Sequence, residues 1–488
     1  MKLETNLLYK ISFGYLFSSL FLFLGFWLNN FIAPLLVFVL GVVLFFIFKD
    51  KNVEDNSSID IKFDYIVIAA VAALVWCLWG GIGGYFWQQM PDWPFRNATI
   101  RDLTEYYWPV YYSSKISLVY YFGFYLVPVF VGKFVSIALS FTDVQTISIV
   151  NFMLLMWSAL GVFLIFLDLF LITKSNDIKS IIVLFIFILF AGMDLFIGDR
   201  PHMDWHPPFS YLSNTLQLFY SCHIAIPIWL ASVLLYQKMK RIDYYGILSV
   251  MFLFYCPQTF LCAAVYMIYF MFRQFFIDIK NKNLKQFFKN IFDIKNVLSV
   301  FIILPVLYLF FKSNYASSHY NFYFNKPCLL AFQCIVFGAG IYLVLLATRF
   351  YKNSLIYLSG FVLAVFPFIA FKTDYDFLLR APIPAIIIMI ILIIKFLFLE
   401  DKYIKVYKYL LITALMIGTL SPLNIIMSSY DCWNRMYDLL LKDYIITFNG
   451  KITPEDKMTD NIYDYRNYAS INYNEYFFWK YIARPKRK

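Results

Sequence analysis

IPAIIIMIILIIKFLFL, residues Ile383–Leu399, is the stretch on which the fold turns, and its single charge is Lys395. A helix needs roughly 17–25 mostly apolar residues to cross the ~30 Å hydrocarbon core of a bilayer. Lipid offers the backbone no hydrogen-bond partners, so such a run must satisfy its own N–H and C=O groups, as a helix does. A barrel strand would alternate polar and apolar residues over about ten positions. Neither this run nor SIIVLFIFILF, Ser180–Phe190, alternates. A β-barrel is excluded.

Outward from Ile383 the same texture continues. The 488 residues are 61% hydrophobic and 22% aromatic, with only 15% charged, against about 25% charged in soluble chains. Apolar runs fall at 9–28, 31–48, 65–86, 147–173, 180–197, 223–237, 245–257 with 258–273, 297–313, 328–348, 354–371, 382–399 and 407–424. They predict an all-α polytopic transmembrane helix bundle of about 11 to 13 spans. Segment 117–139 is apolar but broken by Pro128 and Lys133. It reads as short helices partly in the interface, with a true span as the alternative. Residues 1–424 form the transmembrane domain and 425–488 a polar tail or small extramembrane subdomain. The first apolar run, from Ile11, lacks a small-residue cleavage site and leads into a second span, so no cleavable signal is expected. Seven cysteines, most of them in or beside apolar runs, show neither zinc spacing nor a disulfide framework. The net charge of +11 suits basic cytoplasmic loops rather than nucleic acid.

Lys and Arg favour the cytoplasmic side of short loops. Lys49, Lys51, Lys62, Lys174, Lys179, Lys238, Lys240, Arg241, Arg273–Lys295, Arg349, Lys352, Lys402, Lys405 and Lys408 all fall on one side if 117–139 does not cross and 245–273 folds back at Pro257. The outer face then holds 86–116, 198–222, 314–327, 372–381 and the tail, although the terminal Arg484–Lys488 cluster would itself suit the cytoplasm. Asp168 and Lys395, near inner helix ends, are read as snorkelling to the interface.

Three outer segments carry the candidate chemistry. In the first, WQQMPDWPFRNATIRDLTEYYWP (87–109), Asp102 and Glu105 share a face if the segment is helical. The plainer reading pairs Arg101 with Glu105, leaves Asp102 solvated and makes Trp87, Trp93 and Trp108 interface anchors. In the second, DRPHMDWHPP (199–208), an extended chain would point His202, Asp204 and His206 to one face. That is a candidate set for zinc or manganese, or else a polar cap over the bundle. In the third, KTDYDFLLRAP (372–382), Lys372 and Arg380 beside a helix N-terminus could hold a phosphate, or could snorkel.

The acidic first loop (DWPFRNATIRDLTEYYWPVYYS, 92–113), the short apolar stretch LVYYFGFYLVPVFVGKF (118–134) and the later DFLLRAPIPA (376–385) resemble the C-type superfamily of polytopic membrane glycosyltransferases, and also a group of uncharacterised bacterial multi-spanning proteins. The resemblance implies a GT-C-like bundle in a bacterial cytoplasmic (inner) membrane. Its donor would be a polyprenyl-phosphate-linked sugar, and its acceptor an envelope glycan, lipid or protein on the outer face, with membrane lipids as surroundings. It implies that Asp102, or Asp92, is the general base, with Glu105 beside it. Arg380 and Lys372 would steady the departing phosphate, and Asp204, His202 and His206 would position acceptor or metal. Trp93, Trp108 and Trp205 would stack on sugar, with Asn97 among the binding residues. The first loop has no adjacent Asp-Glu pair and no DxD, so a divalent metal, Mg or Mn, is left open. Alternatives are a transporter or flippase for a lipid-linked glycan or other amphiphile, or a polysaccharide polymerase or ligase.

Overall fold

The structure, a computed structural model, describes residues 2–50, 58–88, 93–193, 196, 211–315, 322–324, 326, 329–371, 376–440 and 468–486. Its helices are α1 Thr5–Trp27, α2 Ile32–Lys49, α3 Phe63–Trp79, α4 Trp93–Glu105, α5 Leu126–Leu139, α6 Asp143–Thr173, α7 Ile178–Ile188, α8 Asn214–Lys238, α9 Tyr245–Tyr255 and α10 Pro257–Lys280. There follow α11 Leu284–Ile291, α12 Ile294–Leu298, α13 Leu304–Lys312, α14 Leu329–Gln333, α15 Ile341–Phe350, α16 Ser354–Val365, α17 Asp376–Arg380, α18 Ile383–Leu397, α19 Lys405–Gly418 and α20 Leu420–Leu440. Single π-helical turns join α12 to α13 and α14 to α15. Three antiparallel strand pairs complete it: β1 Lys2–Glu4 with β2 Ser58–Asp60, β3 Ile116–Leu118 with β6 Ala469–Ile471, and β4 Phe322–Phe324 with β5 Ile369–Phe371. Among the described residues 10 helical stretches are long and apolar enough to cross a membrane, and α3, α7, α9 and α16 belong to shorter apolar ones. The chain is an all-α integral membrane protein.

Local chemistry sets the boundaries. α6 begins four residues before the expected 147 because Thr142 and Gln145 form a capping box there. α3 stops at Trp79, short of the expected 86. Gly81 and Gly83 adopt left-handed φ of 73° and 78°, and a Cβ on Gly81 would stand 2.6 Å from the Trp87 carbonyl.

Contacts sort the loops onto two ends. At the lysine-rich end Arg241 bonds Asp50 (2.5 Å) and Asp243 (2.8 Å), Lys295 bonds Asp243 (2.8 Å), and the Tyr244 hydroxyl donates to Asp50 (2.7 Å). This network ties the chain after α2 to the α8–α9 turn and to α12. At the opposite, loop-rich end, the final segment lies as a strap across the molecule. β6 pairs with β3, Asn29 N–H donates to Ile482 O (2.9 Å), Arg484 N–H to Trp27 O (2.8 Å), and Trp479 Nε1–H to the Ser313 hydroxyl (2.9 Å). Residues 468–486 therefore sit on the same end as the first long loop, their basic cluster notwithstanding. α20 runs through residue 424, so helix continues beyond the expected transmembrane domain.

α9 and α10 pack side by side and fold back at Pro257, with the Ser249 hydroxyl on Met267 Sδ. The helical stretch 122–139 has the length to cross, yet its contacts keep it at the loop-rich end. Phe130 meets Phe26, Lys133 Nζ donates to the Leu103 and Tyr106 carbonyls, and Gly132 lies against Val150 in the first turns of α6.

Three expectations are corrected. The run 180–197 is not one helix, and 211–220 is not an outer loop. α7 ends at Ile188, where the Asn214 amide and Thr215 hydroxyl donate to Phe187 O (2.8 Å) and Ile188 O (2.7 Å). α8 is bent sharply at Ser221 (φ −146°, ψ 52°), so that Trp229 Nε1–H reaches the Gln217 side chain (3.0 Å). The first arm of α8 thus continues the crossing that α7 begins, up to Phe219, whose carbonyl accepts from Trp93 at the loop-rich end (2.9 Å). Backbone ends at membrane depth are tolerated only where protein satisfies them, and Asn214 and Thr215 do so. Asp168, expected to snorkel, is fully buried. Its carboxyl accepts from Ser12 (2.9 Å) and Gln237 (2.8 Å), because α1 and α8 flank that face of α6 and leave no route to the headgroups.

Candidate functional site at the loop-rich end

α4 is anchored by its first residue, since Trp93 is 1% exposed and bonded to Phe219 O. Arg96, one turn on, is 2% exposed and lies over the Trp93 ring, 5.5 Å from its centroid. Asn97 donates to Gln88 (2.7 Å). Asp102 is fully buried and accepts from the Tyr112 hydroxyl on Oδ2 (2.8 Å). Burial, then the Asp102 charge and this hydrogen bond, push the Tyr112 phenol well above its ordinary pKa, so it stays protonated and remains the donor. Glu105 stands on the exposed side of α4, paired with Arg101 (2.5 Å). The helix therefore turns its two carboxylates to different surroundings: Asp102 is enclosed rather than solvated, while Glu105 makes the plain surface ion pair. Trp108 is partly buried, bonded to Leu103 O (2.8 Å) and covered by Lys133.

The residue around which distant segments gather is His223. It follows the bend at Ser221 and is fully buried, and neither ring nitrogen has a hydrogen-bond partner among the described residues. Tyr125 stacks on it at 5.2 Å between centroids, with Tyr120 at 5.8 Å. Two guanidiniums border the same cluster, Arg96 from α4 and Arg380 from the end of α17. Arg380 is half-buried and lies over Tyr121 at 5.9 Å. Tyr120 in turn meets Tyr121 at 4.9 Å and Tyr468 of the strap at 4.1 Å, and Tyr468 stacks on Phe95. Two permanently charged planar forks and an imidazole thus stand among tyrosines, with donors suited to the oxygens of a phosphate.

Of the residues expected from sequence, Asp102, Glu105, Asn97, Trp93, Trp108 and Arg380 are described. Asp92, His202, Asp204, Trp205, His206 and Lys372 lie outside the described residues, so the metal set expected at 202–206 does too. Among the described residues no group of three His, Cys, Asp or Glu side chains could hold a metal ion. Arg96 and His223 were not singled out as site residues. The available signal for His223 was a polar, titratable side chain inside an apolar run.

No family model, known protein or solved structure matches this chain.

Proposed function

We propose that the loop-rich end is the active face of a membrane glycosyltransferase that takes a sugar from a polyprenyl-phosphate donor and passes it to an acceptor of the cell envelope. One observation carries the reading: Arg96 and Arg380, from opposite halves of the chain, border one aromatic cluster around the buried His223, Arg96 over Trp93 and Arg380 over Tyr121, which meets the Tyr120 that faces the imidazole. Two guanidiniums suit a phosphate that gains charge as its bond to sugar breaks, and preorganised charge of this kind is often the largest catalytic contribution. In the reaction the acceptor oxygen bonds the anomeric carbon, its proton passes to a carboxylate, and the C–O bond to phosphate breaks with its electron pair leaving on the polyprenyl phosphate. Arg96 and Arg380 hold that leaving group. Asp102, or Asp92 just ahead of α4, takes the proton.

Purified protein assayed with a polyprenyl-phosphate sugar tests this. R96A and R380A should each lower transfer at least a hundredfold and weaken retention of polyprenyl phosphate itself. Loss in D92N but not D102N would assign the base to Asp92. Full transfer by R96A together with R380A, or by D92N together with D102N, would remove the reading.

A further inference from the structure

We infer that a groove between α7 and α19, at the lysine-rich end and remote from the site above, holds one acyl chain of an anionic phospholipid. The groove has a volume of about 650 Å³ and is walled by Ile182, Phe185, Ile186, Ile412, Leu415 and Met416, with the end of α18 as its floor. That volume falls within the range of small-molecule sites. Ile182, Phe185, Ile412 and Met416 are exposed large apolar side chains, so these walls are not closed against other helices.

Its length indicates what it takes. From Lys179 to Leu189 along α7, and from Lys408 to Thr419 along α19, the lining spans between ten and eleven residues. At 1.5 Å per residue that is about 16 Å, half of the ~30 Å hydrocarbon core. The groove starts where the lysines stand and ends where α7 itself stops. It matches the depth of one leaflet and is too short for a chain that crosses both.

The mouth supplies the charge. Lys179 lies over the Phe398 ring at 5.7 Å and Lys408 donates to Leu399 O, so both ammonium groups are steered to the groove entrance. An ammonium has three donors, and each of these contacts leaves donors for a phosphate diester. Glu400 adds one negative charge at the rim against these two lysines; the adjacent Asp401 is paired with Arg349, and Asp177 caps α7 by accepting from the Lys179 backbone N–H. Basic pockets between helices on the cytoplasmic side, where anionic lipids concentrate, take headgroups of this class.

Native mass spectrometry of the detergent-purified chain tests the assignment, with phosphatidylglycerol and phosphatidylcholine of identical acyl chains as probes. The parent protein should retain phosphatidylglycerol at least tenfold better. K179A/K408A should bring the two lipids level. M416W, which fills the deep end from an exposed position and leaves the lysines in place, should lower retention of phosphatidylglycerol as well. Equal retention of both lipids by the parent, or phosphatidylglycerol retention unchanged in both variants, would overturn the inference. So would its displacement by millimolar inorganic phosphate, since that would leave a headgroup site with no chain in the groove.

Discussion

Trp479 offers the sharpest test of how the strap is held. Its indole is 6% exposed, lies against Tyr111 at 5.4 Å, Tyr473 at 5.6 Å and Phe478 at 5.2 Å, and donates to the Ser313 hydroxyl. Removing a buried Trp side chain to Ala costs about 3–5 kcal/mol, and the lost hydrogen bond adds roughly 1 kcal/mol. Ser313 keeps its own bond to Phe310 O (2.6 Å), so W479A strands no buried donor and needs no further penalty. Even the lower end of that sum, about 4 kcal/mol, raises the open population of the strap roughly a thousandfold. The assay is hydrogen exchange at three amides whose bonds join the strap to the rest: Asn29 to Ile482 O, Arg484 to Trp27 O, and Val119 to Tyr468 O. Protection should fall by that factor in W479A. In W479F, which keeps most of the packing and loses the hydrogen bond, it should fall only about fivefold. The amides of α18 should not change. Unchanged exchange at Asn29, Val119 and Arg484 in W479A would refute the argument, and an equal loss in α18 would show that the whole bundle had opened instead.

Three further outcomes follow from buried contacts. D168A leaves the Ser12 hydroxyl and Gln237 amide without their acceptor and should cost about 2–4 kcal/mol, with D168N milder; thermal unfolding in detergent measures both, and a D168A protein as stable as the parent would mean the carboxyl reaches solvent. G161V drives a side chain onto Ile226 and Tyr15 where α6 crosses α8 and α1 and should cost roughly 1–3 kcal/mol, again read as a lowered melting temperature. At the lysine-rich end, burial alone would raise the Asp243 carboxyl, but the hydrogen bond from Arg241 and the charge and hydrogen bond of Lys295 outweigh it and hold it below its ordinary value. A depressed folded pKa stabilises fully above the unfolded value of ~3.9 and loses its effect as pH falls through the lower one. D243N should therefore trail the parent by about 3 kcal/mol at neutral pH, and the gap should close only below about pH 4; a gap that closes near pH 6 would contradict the ion network.

The sequence was informative where one physical rule acts alone. Hydrophobic length identified α18 and α6, and the placement of Lys and Arg correctly folded α9 onto α10 at Pro257 and kept the stretch after Leu118 at one end. It was least informative where residues serve partners distant in the chain. Asp168 resembles any acid near a helix end until α1 and α8 close over it. The break after Ile188 is invisible because the apolar run continues past it, while the groups that satisfy the break, Asn214 and Thr215, lie beyond a long insertion. The same holds at the candidate site. Asp102 and Arg380 were identifiable as charged residues in polar segments, but nothing in the sequence sets Arg96 apart from the other charges of the first loop. His223 gains its surroundings only once the bend at Ser221 turns it towards Tyr120 and Tyr125.

The half-length of α7 bears on how this chain enters its membrane. Eleven residues rise only about 16 Å, half of the hydrocarbon core, so the folded helix does not cross by itself. Until Asn214 and Thr215 have been synthesised, the last carbonyls of α7 face a medium in which each unsatisfied polar group costs several kcal/mol. During biogenesis α7 must therefore shelter against α3 and α6, with which it packs, and insertion of this part of the wall becomes a cooperative event that waits for α8 rather than a series of separate helix transfers.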